Sequence, residues 1–492
     1  MRRLLAFVLA ATAMPAAAQA DADRDWAETL RKDAQALHDD IARNHPGPIN
    51  PADPGFAARN DAQLALALER ADTAASYGDY FFALREYVAS FDDGHLGFGA
   101  FGAPPTDYTW PGFATRFENG GAMVVGARDD DAPVPLGARL ESCDGMTADA
   151  YAAATLGRTW GRWQLESQRR AFGPMLFLSE GSRYIPRAAR CTFTIDGETR
   201  DVALEWQPLS IERFRAVRQE LNKRSAGAFE ARTLSDGTRW FAIPSFDGDP
   251  SSETAKALPG IIAGLTDERS AIASAPAIVL DLRGNSGGSS DWSIQLADAL
   301  WGRAALEAAP WPDVEVDWRA SPTNLASIAT DYAARRDGAS QNIDHFYRSV
   351  SAGLGTAIAR GEELWTHVSF DDGEATDETD DAEAAPSTAL PALAAPVYVL
   401  TDGTCASACL DALDVWTALG AIQVGRTTSA DTLYMEIRQA RLPSGLTAAS
   451  VPMKVYRGRS RGQNEPAVPR HTFDGDITDT DAVARWIAAL PR

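Results

Sequence analysis

Apolar residues recur every three to four positions near the start of the chain. Trp26, Leu30, Ala34, Leu37 and Ile41 share one helical face, and Pro46 and Pro48 end the run. The same period predicts helices over 58–71 and 80–90. Asp92, Asp93 and Gly94 then break it and deliver His95 on a turn. From Tyr108 to about Pro208 the period falls to two. Residues 123–127 read as a strand, 137–140 begin another, and 146–156 read as a short helix. Cys191 to Ile195 alternates strictly before Asp196-Gly197, a hairpin signal. Further on, apolar β-rich runs at 240–243, 277–282 and 397–400 alternate with helical patterns at 292–301 and 408–419. Strand followed by helix, repeated, predicts an α/β domain with a largely parallel sheet.

The first twenty residues stand apart from this pattern. Arg2 and Arg3 precede an apolar stretch from Leu4 to Ala13, and Ala18-Gln19-Ala20 supplies a small-x-small cleavage site. The stretch is too short to span a bilayer as a helix. The expectation is a signal peptide over 1–20, cleaved near Ala20, and a periplasmic or secreted protein with no stable membrane anchor. The remaining divisions are an N-terminal helical domain over 21–104, a β-rich module over 105–208, and an α/β domain over 209–492. The last contains an acidic loop at 371–395; eight of the thirteen residues from 371 to 383 are acidic, which reads as a solvated loop.

Lys and Arg total 46 against 68 Asp and Glu, a net charge of −22. Such a chain repels phosphate backbones and anionic lipid, so nucleic acid is not an expected partner. An exported protein can form disulfides, and four cysteines allow three pairings. Cys143 with Cys191 and Cys405 with Cys409 are the candidates, the first favoured; the alternative is four buried thiols. No Cys/His cluster implies a metal and no phosphate loop implies a nucleotide, so no cofactor is expected.

Two segments carry candidate chemistry. DLRGNSGG (281–288) leaves an apolar strand, and its glycines let backbone amides face an oxyanion. In that reading Gly287 and Gly288 are donors; in a competing one Ser286 is itself a nucleophile. VLTDGTCASACLDALD (399–414) puts Ser407 where a strand passes into a helix, with its hydroxyl exposed and the Ala408 amide available to an oxyanion. A lone serine there more often caps the helix.

Together with DGHLGF (93–98), these segments resemble the S41 family, the tail-specific and tricorn-type serine peptidases. The resemblance implies a helical N-terminal part, a PDZ-like module and a ClpP/crotonase-like α/β core. It also implies a peptide or protein substrate, and related peptidases often form homo-oligomers. By position Ser407 matches the nucleophile, and Gly287 or Gly288 with Ala408 match the oxyanion hole. The family's Ser-Lys dyad is absent, since 425–432 contain no lysine and the Arg426 guanidinium stays protonated. Tricorn-type members use a histidine just before the PDZ-like module, and His95 occupies that place, with imidazole suited to base work near neutrality. Gly94 stands where tricorn has serine. The carboxylate that orients the histidine falls by position on Gln463, with Glu465 two residues later. His45 and His471 look ordinary, at a helix end and before a strand.

The reading is an exported serine-type endopeptidase with Ser407 as nucleophile and His95 as general base. The alternative is a catalytically inactive S41-like protein that binds peptides or apolar ligands.

Overall fold

The structure is a computed structural model. It describes residues 24–101, 108–118, 120–222, 227–310, 312, 314–336, 341–368, 390 and 393–491. The expected signal peptide and the acidic run 371–383 lie outside these residues.

The N-terminal helices are Trp26–Asn44, Phe56–Ala71 and Tyr77–Ala89. Asp25 and Ser76 cap the first and third by accepting from the amides of Glu28 and Asp79. Leu30, Ala34, Leu37 and Ile41 are fully buried, as their spacing predicts. They share a core with Ala449, Val451 and Val455, which sit on a long strand near the other end of the chain. That strand, Thr447–Arg457, anchors an antiparallel sheet ordered Gly97–Ala100, Thr447–Arg457, Glu315–Arg319, Leu364–Val368, with Tyr434–Arg441 also paired to it. The first strand starts two residues after His95, and Gly97 pairs with Ser450.

The β-rich module is an antiparallel sheet ordered Phe113–Phe117, Met123–Arg128, Arg139–Cys143, Arg190–Ile195, Glu198–Ala203. Cys143 and Cys191 face each other across two of these strands and are bonded. The expected helix at 146–156 forms as Ala148–Ala152 and continues as a π turn, Ala153–Gly157. The helix Ile211–Leu221 carries no sharp signal in the sequence. Its Phe214 and Val217 complete the module core with Trp110, Phe113 and Phe193, so the module extends past residue 208 to about 221.

The α/β domain is built on a sheet ordered Glu230–Thr233, Arg239–Ala242, Ile278–Asp281, Val397–Thr401, Ile422–Gly425, His471–Thr472; all neighbours except the first pair are parallel. Alternate residues point to opposite faces, and both faces are covered. Ile278, Leu280, Val397 and Val399 pack against Leu296, Leu413 and Trp416 on one side. Val279, Tyr398 and Leu400 pack against Val483 and Ile487 on the other. The strands Ile278–Asp281 and Val397–Thr401 are neighbours in register, Asp281 opposite Leu400. The two motif loops therefore leave the sheet side by side at the carboxyl ends of adjacent strands, where open α/β sheets bind ligands.

Candidate active site

The first loop is fixed by its own polar residues. Arg283 donates Nε and Nη2 to the Asp281 carboxylate at 2.9 and 2.6 Å, and Nη1 to the Ile477 carbonyl. Asp281 and Arg283 are buried at 5% and 4% exposure, which is tolerable because the pair is bidentate and its remaining donors are used. Asn285 donates Nδ2 to the Ile243 carbonyl, and its Oδ1 accepts the Gly287 amide at 2.9 Å. Asp402, in the second loop, accepts the Gly284 amide at 3.0 Å and so locks the loops together.

The second loop turns sharply at Ser407, which has φ 55° and ψ −130°. A serine held there costs about 1–3 kcal/mol, and such strain persists only where neighbours over-determine it. Three features do so. Cys405 and Cys409 are bonded across the turn, and both are fully buried. Gly287 packs so closely that a Cβ on it would lie 2.7 Å from Ser407 Cβ. The Ser407 amide donates to Asp431 Oδ2 at 2.8 Å.

The Ser407 hydroxyl makes no capping bond to the helix Ala408–Ala418. It meets His95 instead, Nε2 to Oγ 3.3 Å. Ser286, the competing nucleophile, has no histidine bonded to it among the described residues. The expected oxyanion donors also separate. The Gly287 amide is occupied by Asn285, whereas the amides of Gly288 and Ala408 meet no acceptor among the described residues. Gly288 has φ 135°, and a Cβ there would lie 2.0 Å from the Phe246 carbonyl oxygen; only glycine fits.

Neither Gln463 nor Glu465 takes the place of the expected orienting carboxylate. Gln463 and Glu465 are exposed, and Glu465 Oε2 accepts the Gly462 amide within its own turn. His95 Nδ1 is buried and bonds to neither. The missed residues lie behind the base. Asp93 Oδ1 accepts the His95 amide at 2.9 Å and the Thr432 hydroxyl at 2.8 Å. Its other oxygen lies 3.7 Å from Nε2 of His45, which is fully buried and stacked on Phe56. His45 Nδ1 accepts the Gly47 amide, so the ring proton sits on Nε2, facing Asp93. Burial pushes the His45 pKa down, with Asp93 opposing. Burial alone would raise the Asp93 carboxyl, but the facing His45 N–H, the charges of His95 and His45 and the bond from the His95 amide outweigh it and hold it below its ordinary value.

Gly94 has a steric reason. A Cβ there would lie 2.6 Å from Arg162 Nη1, which donates to the Ala430 carbonyl at 2.5 Å. The Arg162 amide also donates to Asp92 Oδ1. Arg162 belongs to the β-rich module, so its guanidinium fills the space a serine side chain would take.

Between the module and the α/β domain runs a cleft of about 1530 Å³. Phe117, Arg170 and Arg218 line one wall, and Gly284, Ser286, Thr404 and Arg426 the other. It reaches the residues flanking both catalytic loops.

A histidine on a turn brought to a strained serine at a helix start, beside two open amides, is the arrangement of a serine hydrolase. Residues 241–466 match the model of Peptidase family S41. Solved structures similar to it include mature CPAF, at TM-score 0.57 and 13% identity over 94% of this chain and 97% of that one. CPAF complexed with lactacystin matches at TM-score 0.55 and 13% identity, over 94% and 98%. A CPAF mutant matches at TM-score 0.52 and 13% identity, over 91% and 93%. At that identity the likeness shows the fold. No curated protein matches the sequence.

Proposed function

We propose that this protein is an exported serine endopeptidase in which Ser407 is the nucleophile and His95 the general base. The observation that carries the reading is the 3.3 Å approach of His95 Nε2 to the Ser407 hydroxyl, with the Gly288 and Ala408 amides open beside it. His95 takes the hydroxyl proton as Oγ attacks the peptide carbonyl. The two amides then hold the oxyanion, each worth about 3 kcal/mol in the transition state. His95 passes the proton to the leaving amine, and water repeats the sequence to release the acid. The Asp93 carboxylate, on the same turn, accepts the His95 amide and so holds the backbone of the base in place through each transfer. The β-rich module is read as PDZ-like, with the cleft at its edge admitting the peptide.

A fluorophosphonate should label the purified wild type and fail on Ser407→Ala and His95→Ala; labelling that survives Ser407→Ala but not Ser286→Ala refutes the assignment. One observation favours the second reading, a non-catalytic binder: His95 Nδ1 meets neither the Gln463 amide nor the Glu465 carboxylate. A wild type that neither labels nor cleaves casein, yet retains peptides, supports that reading. Export is tested by mass spectrometry of the exported chain, which should begin near Asp21.

A further inference from the structure

Asp431 lies between the strands Ile422–Gly425 and Tyr434–Arg441 and is 2% exposed. Its Oδ2 accepts the backbone N–H of Ser407 at 2.8 Å. The same oxygen is 3.8 Å from Arg461 Nη1, and Arg461 Nη2 donates to Asp414 at 3.0 Å. The carboxylate is thus braced by a cation that is itself anchored. An acidic cap on an ordinary helix bonds an amide whose residue already has relaxed dihedrals. Here the bonded amide belongs to the one residue of the turn with φ 55°.

The next residue serves the base. Thr432 donates its hydroxyl to Asp93 Oδ1, the oxygen that also accepts the His95 amide. Asn464 closes the circuit, its amide donating to the Asp431 carbonyl and its side chain to the Asp92 carbonyl. Two consecutive residues therefore fix the backbones of nucleophile and base relative to each other.

We propose that Asp431 is a positioning residue, whose carboxylate holds Ser407 in the strained turn that aims Oγ at His95 and leaves the Ala408 amide open. The inference rests on the serine-peptidase reading. Misplacing reacting atoms by about 1 Å costs roughly a hundredfold in rate. Asp431→Ala should lose about that much in kcat. Asp431→Asn keeps an acceptor of the same shape in a bond about half as strong, and should lose roughly fivefold.

The test measures the rate constant of fluorophosphonate labelling, with kcat and KM on a peptide substrate, for wild type and both variants, each normalised to folded protein. The expected result is labelling and kcat falling in the order wild type, Asn, Ala, with KM within about twofold. A plain helix cap would lower thermal stability and leave labelling per folded molecule unchanged, and that result overturns the inference. So does a rise in KM at constant kcat, or an Asn variant no better than Ala. If Asp431→Ala does not fold, the isosteric Asn variant decides alone, and wild-type labelling in it overturns the inference. A wild type that does not label overturns the peptidase reading and this inference with it.

Discussion

Replacing both Cys405 and Cys409 by alanine removes the bridge that spans the nucleophile turn. The bridged residues are four apart, and the loop-entropy relation gives about 2 kcal/mol for a closure that short. The left-handed Ser407 backbone costs about 1–3 kcal/mol. The two quantities are of the same size, and that equality makes the prediction sharp. Without the closure, a relaxed turn competes with the strained one, and a relaxed turn points Oγ away from His95. Relief of the full 2 kcal/mol corresponds to about thirtyfold, so kcat should fall by roughly two- to thirtyfold. Labelling at Ser407 should slow in parallel. Both cysteines are fully buried, so reductant alone should act on the native protein only slowly; the alanine pair is the cleaner perturbation. The assay is labelling kinetics beside thermal denaturation. A double variant that melts earlier but labels and turns over within twofold of wild type refutes the argument, leaving the bridge a staple of the fold and no part of the catalytic turn.

Opening Cys143–Cys191 should behave in the opposite way. Its loop of 48 residues gives about 4 kcal/mol, so a double serine variant should lose module stability in denaturant while Ser407 still labels. Gly288→Ala puts a Cβ onto the Phe246 carbonyl oxygen and should destabilise by about 3 kcal/mol or more; a soluble variant with wild-type labelling would contradict that packing. His45 gives a pH prediction. Its folded pKa lies below 6.5, so below pH 6.5 the unfolded chain binds the extra proton first. Stability should therefore fall as pH drops from about 6.5, with a limiting slope of about 1.4 kcal/mol per unit. Denaturant midpoints at pH 7 and 5 should converge in His45→Gln, and an unchanged slope in that variant removes His45 as the cause.

How much of this was legible in the sequence follows from distance along the chain. The strand-to-helix turn at Ser407 and the diglycine loop are local, and their periodicity and small residues marked them. The N-terminal helices and three of the parallel strands, Arg239–Ala242, Ile278–Asp281 and Val397–Thr401, are readable for the same reason, whereas Ile422–Gly425 and His471–Thr472 are not. The second sheet was not, because Gly97 finds Ser450 only in three dimensions. His45 looked like a helix-end residue, since nothing near it in sequence announces Asp93 as its neighbour. Position along the chain points to Gln463 and Glu465 for the orienting carboxylate, but that turn uses Glu465 on its own backbone. Arg162 and Asp431 were silent for a further reason. An arginine and an aspartate are ordinary surface residues until a fold buries them against a carbonyl and an amide.

The pairing of Gly97 with Ser450 has a temporal meaning. His95 is joined to the antiparallel sheet, whereas Ser407 stands on the parallel one, so the proposed pair straddles two separately hydrogen-bonded layers. During synthesis the base emerges early. The sheet that seats it is incomplete until the strand Thr447–Arg457 has been made. A chain that ends before Thr447 lacks that seat for His95, and the segment 241–466 alone contains Ser407 but not His95. The turn that carries His95 is thus seated by a strand made about 350 residues after it.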